Sequence, residues 1–388
     1  MSSNRNVPVL VSTARTPVGK FGGGLREMEA VDLGAAAVAG ALDRAPGATP
    51  DQVLMANVVQ AGNGQNPARL AAIRGGLPTT VPAVTLNDVC LASMTAAGMA
   101  ATMIRAGEIE TAVVGGFDSM SRALHGMQVR QAPRVGVPRM TDLLVNDGLW
   151  CSIAERGMGQ ISDSENVRLG VGRESQDSFA LESHRRAWAA TQSGRLGEEI
   201  EASRTSPLKE DEGIRPDTSS DSLAGLSSAF VPDGSITAGN ASQMSDAGAA
   251  GVLMNLDRAQ ALGLTPIVEI VDRATVAGPD SSLHLKPAMA TRLLLGKHGM
   301  IPDDIGLWEI NEAFAGVVVA SARDLGVGLE KVNVNGGAIA IGHPLGASGF
   351  RMIGSLSLEM RRRSVEYGVA AICGGGGQGE AMLLKLAG

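Results

Sequence analysis

The 388-residue chain predicts an α/β protein in which one strand-and-helix unit is used twice, with a polar insertion between the copies. Three observations carry this. Short apolar runs alternate with Ala- and Leu-rich stretches, the pattern of a largely buried sheet with helices on its faces. Four of those runs recur in the same order at similar spacing. Between the two sets, residues 118–245 are richer in Arg, Ser and Asp than either flank.

The elements follow in chain order. Pro8-Val9-Leu10-Val11, leading to Ala14-Arg15-Thr16, is echoed by Pro266-Ile267-Val268, leading to Arg273-Ala274-Thr275. Asp51-Gln52-Val53-Leu54-Met55 answers Asp304-Ile305-Gly306-Leu307-Trp308, and Val84-Thr85-Leu86-Asn87 answers Val332-Asn333-Val334-Asn335. The last pair is Thr111-Ala112-Val113-Val114-Gly115-Gly116 and Val369-Ala370-Ala371-Ile372-Cys373-Gly374. Within the insertion, residues 175–192 read as an amphipathic helix opened by the capping pattern Ser175-Gln176-Asp177 and stopped near Gly194. Residues 209–228 are polar and turn-rich, which predicts a surface loop.

Composition narrows the function. The formal charge is -7, with Lys and Arg scattered along the chain, so a nucleic-acid binder with a basic face is not expected. Three cysteines cannot form a fully paired disulfide framework and lack zinc-ligand spacing, which predicts a reducing compartment, free thiols and no metal site. The start of the chain is polar, and no continuous apolar run approaches the length of a bilayer span, so a cytoplasmic protein without signal peptide or membrane partner is expected.

Thiols and one imidazole stand out as chemistry. Cys90 follows a predicted strand and precedes the helix-forming Leu91-Ala92-Ser93-Met94-Thr95-Ala96-Ala97. At a helix mouth the unpaired N–H groups favour a thiolate, which predicts a lowered pKa and a nucleophile. His343 projects from a segment fixed by Gly342, Pro344, Gly346 and Gly349. Cys373 heads four glycines, Gly374-Gly375-Gly376-Gly377. Up to Gly379 the run matches G-x-G-x-x-G, yet only nine residues remain beyond it, too few for a dinucleotide-binding unit. Bare backbone whose N–H groups can approach an oxyanion is the better reading. Asn311, in Trp308-Glu309-Ile310-Asn311-Glu312-Ala313-Phe314-Ala315, offers a side-chain donor for a water or carbonyl. Cys151, beside Trp150, reads as a small buried hydrophobe.

These segments together resemble the thiolases, the enzymes that make or cleave 3-ketoacyl-CoA. The likeness runs through Ala14-Arg15-Thr16-Pro17-Val18-Gly19-Lys20-Phe21, Gly64-Gln65-Asn66-Pro67-Ala68-Arg69, Val89-Cys90, Gly115-Gly116 and Thr237-Ala238-Gly239-Asn240-Ala241-Ser242. It continues through Asn311-Glu312-Ala313-Phe314-Ala315, the block of residues 335–349, and residues 373–379. The resemblance implies the thiolase fold: two duplicated βαβαβαββ halves in α-β-α-β-α layers, here residues 1–117 with 246–263 and residues 264–388, plus a coenzyme A-binding loop domain at 118–245.

It also implies an acyl-CoA C-acyltransferase working by a ping-pong route through an S-acyl-Cys90 intermediate, with acetyl-CoA, 3-ketoacyl-CoA and CoA as partners and no resident cofactor. Acetyl-CoA C-acetyltransferase is the leading assignment; a longer-chain degradative thiolase of β-oxidation and a CoA-binding protein with lapsed activity are the alternatives. Implied roles are Cys90 as nucleophile, His343 as its base, Cys373 as the second acid–base thiol, Asn311 as holder of a water, and the N–H groups of Cys90 and Gly375 as the oxyanion hole. For coenzyme A the resemblance points to Arg215 at the nucleotide end, Ser222, Leu226, Phe230 and Ala238 along the molecule, Ser242 at the pantetheine amide, and Met158 and Phe314 near the thioester. A homodimer or homotetramer is implied as well.

Two positions depart from the family pattern. Ala92-Ser93 stands where relatives have Ser-Gly, and Gly157 stands where acetoacetyl-type members have His. The bulk of Ser93, Met158 and Phe314 predicts a narrow acyl pocket and a preference for short chains.

Overall fold

The computed structural model describes residues 6–131, 135–201, 204 and 208–388. The strands that build the core are β1 (Pro8–Arg15), β2 (Gln52–Ala56), β3 (Ala83–Leu86), β4 (Thr111–Ser119), β5 (Ser245–Asn255), β6 (Val268–Ala277), β7 (Leu307–Ile310), β8 (Tyr367–Gly374) and β9 (Gln378–Leu386). The principal helices are α1 (Ala30–Asp43), α2 (Pro67–Arg74), α3 (Ala92–Ala106), α4 (Met158–Leu169), α5 (Arg173–Gln192), α6 (Lys286–Lys297), α7 (Ala315–Leu325) and α8 (Leu345–Arg363).

Hydrogen bonding repeats the same order in two sets. The first runs β3-β2-β4-β5-β1, and the second runs β7-β8-β9-β6. Each echo seen in the sequence falls on matching positions: β1 with β6, β2 with β7, β4 with β8. The run at Val332 makes a single parallel bridge to Trp308, where β3 makes a four-residue ladder to β2. A two-residue antiparallel contact, Val9 opposite Glu269 and Leu10 opposite Val268, joins the two sets into one sheet.

Three apolar clusters define the layers. One packs α1 and α2 on the outer face of the first set through Val31, Val38, Ala68 and Val113. Another packs α6 and α7 on the outer face of the second through Leu294, Leu295, Val318 and Trp308. The third lies between the sets, where α3 and α8 bury Leu91, Met94, Ile104, Phe350 and Ile353 against Val114 on one side and Ile372 on the other. Each large side chain so buried stabilises the fold by about 1.5–3 kcal/mol. The approach is close: a Cβ on Gly116 would stand 2.0 Å from the Gly346 carbonyl, and one on Gly349 would stand 2.7 Å from Met94 N. This is the α-β-α-β-α thiolase architecture, with α3 and α8 as its central layer.

Local sequence explains the ends of that layer. α3 is Ala-rich, free of proline, and stops at Gly107, which takes the left-handed conformation at φ 74°. α8 carries Arg361, Arg362 and Arg363 in its last turn, where positive charge complements the helix dipole. The window Val89–Ala106 is long and apolar enough to cross a membrane by length and composition, but it contains this packed helix.

Two expectations need correction. The helix placed at 175–192 starts at Arg173 with Gly172 as its N-cap, because Arg173 and Asp177 pair one turn apart at 2.6 Å and Asp177 also accepts from Asn240 Nδ2. Residues 209–228 are not simply a surface loop. Asp211 is buried and accepts two bonds from the Arg15 guanidinium, at 2.6 and 2.8 Å, while Glu199 accepts a third at 2.8 Å. A charge buried beside β1 needs such partners, so this part of the insertion is tied into the first half.

Candidate active site

The loop before α3 sets the nucleophile's position. Val89 has φ 49°, a left-handed conformation that a β-branched residue rarely adopts. Its N–H donates to Asn87 Oδ1 at 3.0 Å, and the neighbouring Asp88 carboxylate accepts from Thr95 Oγ1 and Gln378 Nε2, both at 3.0 Å. Gln378 lies just past the four glycines, so the two cysteine loops hold each other. The glycines are not equivalent. A Cβ on Gly374 would stand 2.0 Å from Leu91 Cδ1, and Gly377 combines φ 77° with a 2.0 Å approach to the Asp280 carbonyl. At Gly375 a Cβ would meet only Val89, at 3.4 Å.

Cys90, His343 and Cys373 line one pocket, with Gly148, Leu149, Met158, Ser242, Leu283, Ala313, Phe314, Leu345, Gly374 and Gly375; its cavity volume is about 70 Å³. Cys90 is half-buried and Cys373 buried. The lowered thiol pKa expected for Cys90 does not hold. Burial pushes it up to about 12, although the backbone N–H groups of Gly375 and of Cys90 itself bond to the sulfur and pull the other way. Cys373 is raised too, by burial and by the neighbouring Cys90. His343 is only 6 % exposed, and burial, with Arg351 second, holds it down to about 3. The resting pair is therefore neutral thiol and neutral imidazole.

His343 follows Gly342, whose φ of 122° and 2.3 Å approach to Ser245 Oγ leave no room for a side chain. The His343 N–H donates to Gln243 O at 3.0 Å. Asn311 is anchored through its N–H to Ala371 O at 2.9 Å and donates from Nδ2 toward His343 Nε2 at 3.4 Å. Its Oδ1 is buried with no partner among the described residues, a position where a bound water could donate.

Of the residues assigned to coenzyme A, Ser242, Met158 and Phe314 line this pocket. Arg215, Ser222, Leu226, Phe230 and Ala238 lie outside its lining, on the segment leading to it. Phe230 is 42 % exposed and meets Phe314 edge to face at 5.9 Å. Ser222 and Ala238 are exposed, and Arg215 and Leu226 are half-buried. Ser93 does not narrow the pocket. It is fully buried, and its Oγ accepts from Phe350 N at 2.9 Å where α3 crosses α8. A Cβ on Gly157 would fit in ordinary contact with the Gln160 side chain, the nearest atom lying at 3.5 Å. Cys151 is buried outside this pocket's lining, its sulfur accepting from Ala154 N.

Sequence reasoning missed Asp118. This buried carboxylate accepts from Asn57 Nδ2, Val58 N, Val59 N and Gly346 N, at 2.7, 3.0, 2.9 and 2.6 Å. It ties the end of β4 to the first turn of α8. Burial raises it to about 6 despite those donors. Among the described residues no cluster of three or more His, Cys, Asp or Glu is placed to hold a metal ion.

A duplicated five-layer fold with two cysteines and a histidine gathered at the seam defines a thiolase. Family models agree: the thiolase N-terminal domain matches residues 8–257 and the thiolase C-terminal domain residues 264–386. The chain belongs to the thiolase family. It is 44% identical over 387 residues to a probable acetyl-CoA acetyltransferase of Mycolicibacterium smegmatis, covering 97% of this chain and 100% of the relative. It is 40% identical to the acetyl-CoA acetyltransferase of Escherichia coli, covering 97% and 98%. The crystal structure of the Bacillus anthracis acetyl-CoA acetyltransferase superimposes over 100% of both chains with a TM-score of 0.95 at 34% identity.

Proposed function

We propose that the chain is an acetyl-CoA C-acetyltransferase that condenses two acetyl-CoA molecules reversibly to acetoacetyl-CoA and CoA. The observation that carries this is the single pocket holding Cys90, His343 and Cys373, with the N–H groups of Cys90 and Gly375 directed at the nucleophilic sulfur. His343 Nε2 takes the Cys90 proton as sulfur attacks the thioester carbonyl. The two N–H groups hold the oxyanion, each such donor being worth roughly 3–4 kcal/mol in the transition state. The departing CoA sulfur takes the proton from His343, leaving S-acetyl-Cys90.

In the second half-reaction Cys373 passes its proton to His343 and, as thiolate, removes an α-proton from the next acetyl-CoA. The enolate oxygen is held by the protonated His343 and by a water on Asn311, and its carbon attacks the Cys90 thioester, releasing the Cys90 sulfur, which takes the proton from His343 and restores the resting site. Burial suits Cys373 to this, since a thiol whose pKa is raised gives a stronger base when ionised. Coenzyme A runs from Arg215 past Ser222, Leu226, Phe230 and Ala238 to Ser242, with Met158 and Phe314 around the thioester. The half-buried guanidinium serves the acidic end, and the mixed hydroxyl and apolar surface follows the pantetheine arm.

We further propose a cytoplasmic enzyme of fatty-acid metabolism that assembles as a homodimer or homotetramer. The antiparallel pair of residues 125–127 and 140–142 and the described residues beside it support assembly, since Leu124, Met127, Val129, Val135, Val137, Met140 and Val145 are all exposed. One observation favours the longer-chain reading of β-oxidation instead. Past Gly148, Met158 and Gly375 the pocket adjoins a second cleft lined by Val89, Trp150 and Ile153, which could take an acyl tail.

The test is CoA-dependent loss of acetoacetyl-CoA absorbance beside the same assay on 3-ketooctanoyl-CoA, with peptide mass spectrometry after incubation with acetyl-CoA. Acetylation on Cys90 and faster turnover of acetoacetyl-CoA are expected. A label on Cys151, or none in active enzyme, would remove the nucleophile assignment; faster turnover of the longer substrate would replace acetyl transfer by degradative thiolysis.

A further inference from the structure

We propose that Ser348 is a positioning residue that locks His343 in its Nδ1–H tautomer and so leaves the Nε2 lone pair facing Asn311, in the pocket that Cys90 also lines. The argument is a count of protons. Ser348 Oγ stands 2.7 Å from Pro344 O and 2.6 Å from His343 Nδ1, and both side chains are buried. The Pro344 carbonyl can only accept, so the proton in that contact is the serine's own. A hydroxyl has one proton. With it committed to Pro344, the contact to Nδ1 must be made by a proton on the imidazole.

A neutral imidazole carries a single N–H, which leaves Nε2 as an acceptor. The arrangement at Nε2 agrees, since Asn311 Nδ2 faces it as a donor. A directional chain results: Asn311 to His343 Nε2, His343 Nδ1 to Ser348, Ser348 to Pro344. Reversing the imidazole would set Nδ1 against a serine oxygen with no proton between them, would aim an N–H at the Asn311 amide hydrogens, and would leave no lone pair on Nε2 to take a thiol proton. Wild-type geometry thus allows one protonation pattern, and it is the pattern a base for Cys90 requires.

The other two buried histidines are held the opposite way. His184 Nδ1 accepts from Arg215 N at 3.1 Å, and His284 Nε2 lies 2.7 Å from Asn166 Oδ1, whose own Nδ2 is engaged with Gln176 and Ser235. Both are therefore Nε2–H. His343 is the odd one among the three.

This role rests on the proposed base chemistry; the tautomer does not. The chain has five histidines, so two-bond 15N–1H spectra of histidine-labelled protein resolve each ring. One buried ring is expected as Nδ1–H, assigned to His343 by its loss in His343→Gln. In Ser348→Ala only the longer Asn311 contact, at 3.4 Å, still disfavours Nε2–H, so that form should appear, and both thiolytic kcat and the rate of Cys90 alkylation by iodoacetamide at neutral pH should fall roughly 10- to 100-fold with KM little changed, the usual scale for losing an orienting partner. Ser348→Thr, which keeps the hydroxyl, should restore both. The proposal is overturned if the wild-type ring is Nε2–H, which decides the matter even where Ser348→Ala fails to fold, or if a folded Ser348→Ala keeps the Nδ1–H ring and its alkylation rate. A protein with the predicted tautomer but no thiolytic activity would sink the proposed function and leave the tautomer standing.

Discussion

Replacing Ser93 by glycine separates a packing role from a pocket role. The serine hydroxyl accepts from Phe350 N at 2.9 Å with both residues buried, at the crossing of α3 and α8. Leaving a buried donor without a partner costs about 1–3 kcal/mol. Phe350 sits inside a helix whose own carbonyls remain available to its N–H, which puts the loss near the lower end. Glycine in place of serine within a helix adds about 0.5 kcal/mol. A total near 1.5 kcal/mol follows, read as a lower urea midpoint at unchanged slope. Because Ser93 does not line the catalytic pocket, the ratio of kcat/KM for acetoacetyl-CoA to that for 3-ketooctanoyl-CoA should stay as it is. A folded variant of undiminished stability whose preference moves to the longer substrate would refute the argument and return Ser93 to the acyl pocket.

Cys373→Ala should still accept an acetyl group on Cys90 yet lose condensation by roughly 10²–10⁴-fold, the usual contribution of a positioned acid–base group; acyl-enzyme yield measured beside acetoacetyl-CoA formation checks it, and loss of acylation as complete as in Cys90→Ala would end the division of labour. Gly375→Ala should fold and lose activity, since its Cβ finds space but enters the pocket, whereas Gly377→Ala should not yield stable protein, having both φ 77° and a carbonyl at 2.0 Å in the way; circular dichroism with a turnover assay distinguishes them. His284 is buried and held down to about 4 by desolvation. Below its ordinary 6.5 the unfolded chain binds a proton that the folded protein refuses until about 4, so this group's stabilisation is complete above pH 6.5 and lost as pH falls through that window. His284→Gln should therefore flatten the stability–pH slope between 6.5 and 4 by at most about 1.4 kcal/mol per pH unit, measured by urea unfolding.

Strands and motifs were legible because each is local. The alternation of apolar runs and the placement of Cys90, His343 and Cys373 beside glycine or helix signals need only a few neighbouring residues. What stayed hidden depends on partners far away in the chain. Asp118 reads as an ordinary charged residue until Gly346, 228 positions on, donates to it. Arg15 and Asp211 are 196 apart, and Ser93 and Phe350 257 apart. The misplaced start of α5 has the same origin, since Asp177 looks like a capping residue only until Asn240 claims it. The Cys90 pKa failed for another reason: the helix mouth is visible in sequence, whereas the desolvation that outweighs it belongs to the finished pocket.

The central layer carries a consequence of its own. Cys90 lies two residues before α3 and His343 two residues before α8, the same offset from helices that play the same part in the two copies. Nucleophile and base thus occupy matching positions in the two copies, and both line one pocket. Their separation is set by how two core helices slide on each other at Ser93, Met94, Gly349 and Phe350. Reactive geometry in this protein is a matter of internal mechanics, laid down where two core helices cross as well as by the side chains that line the pocket.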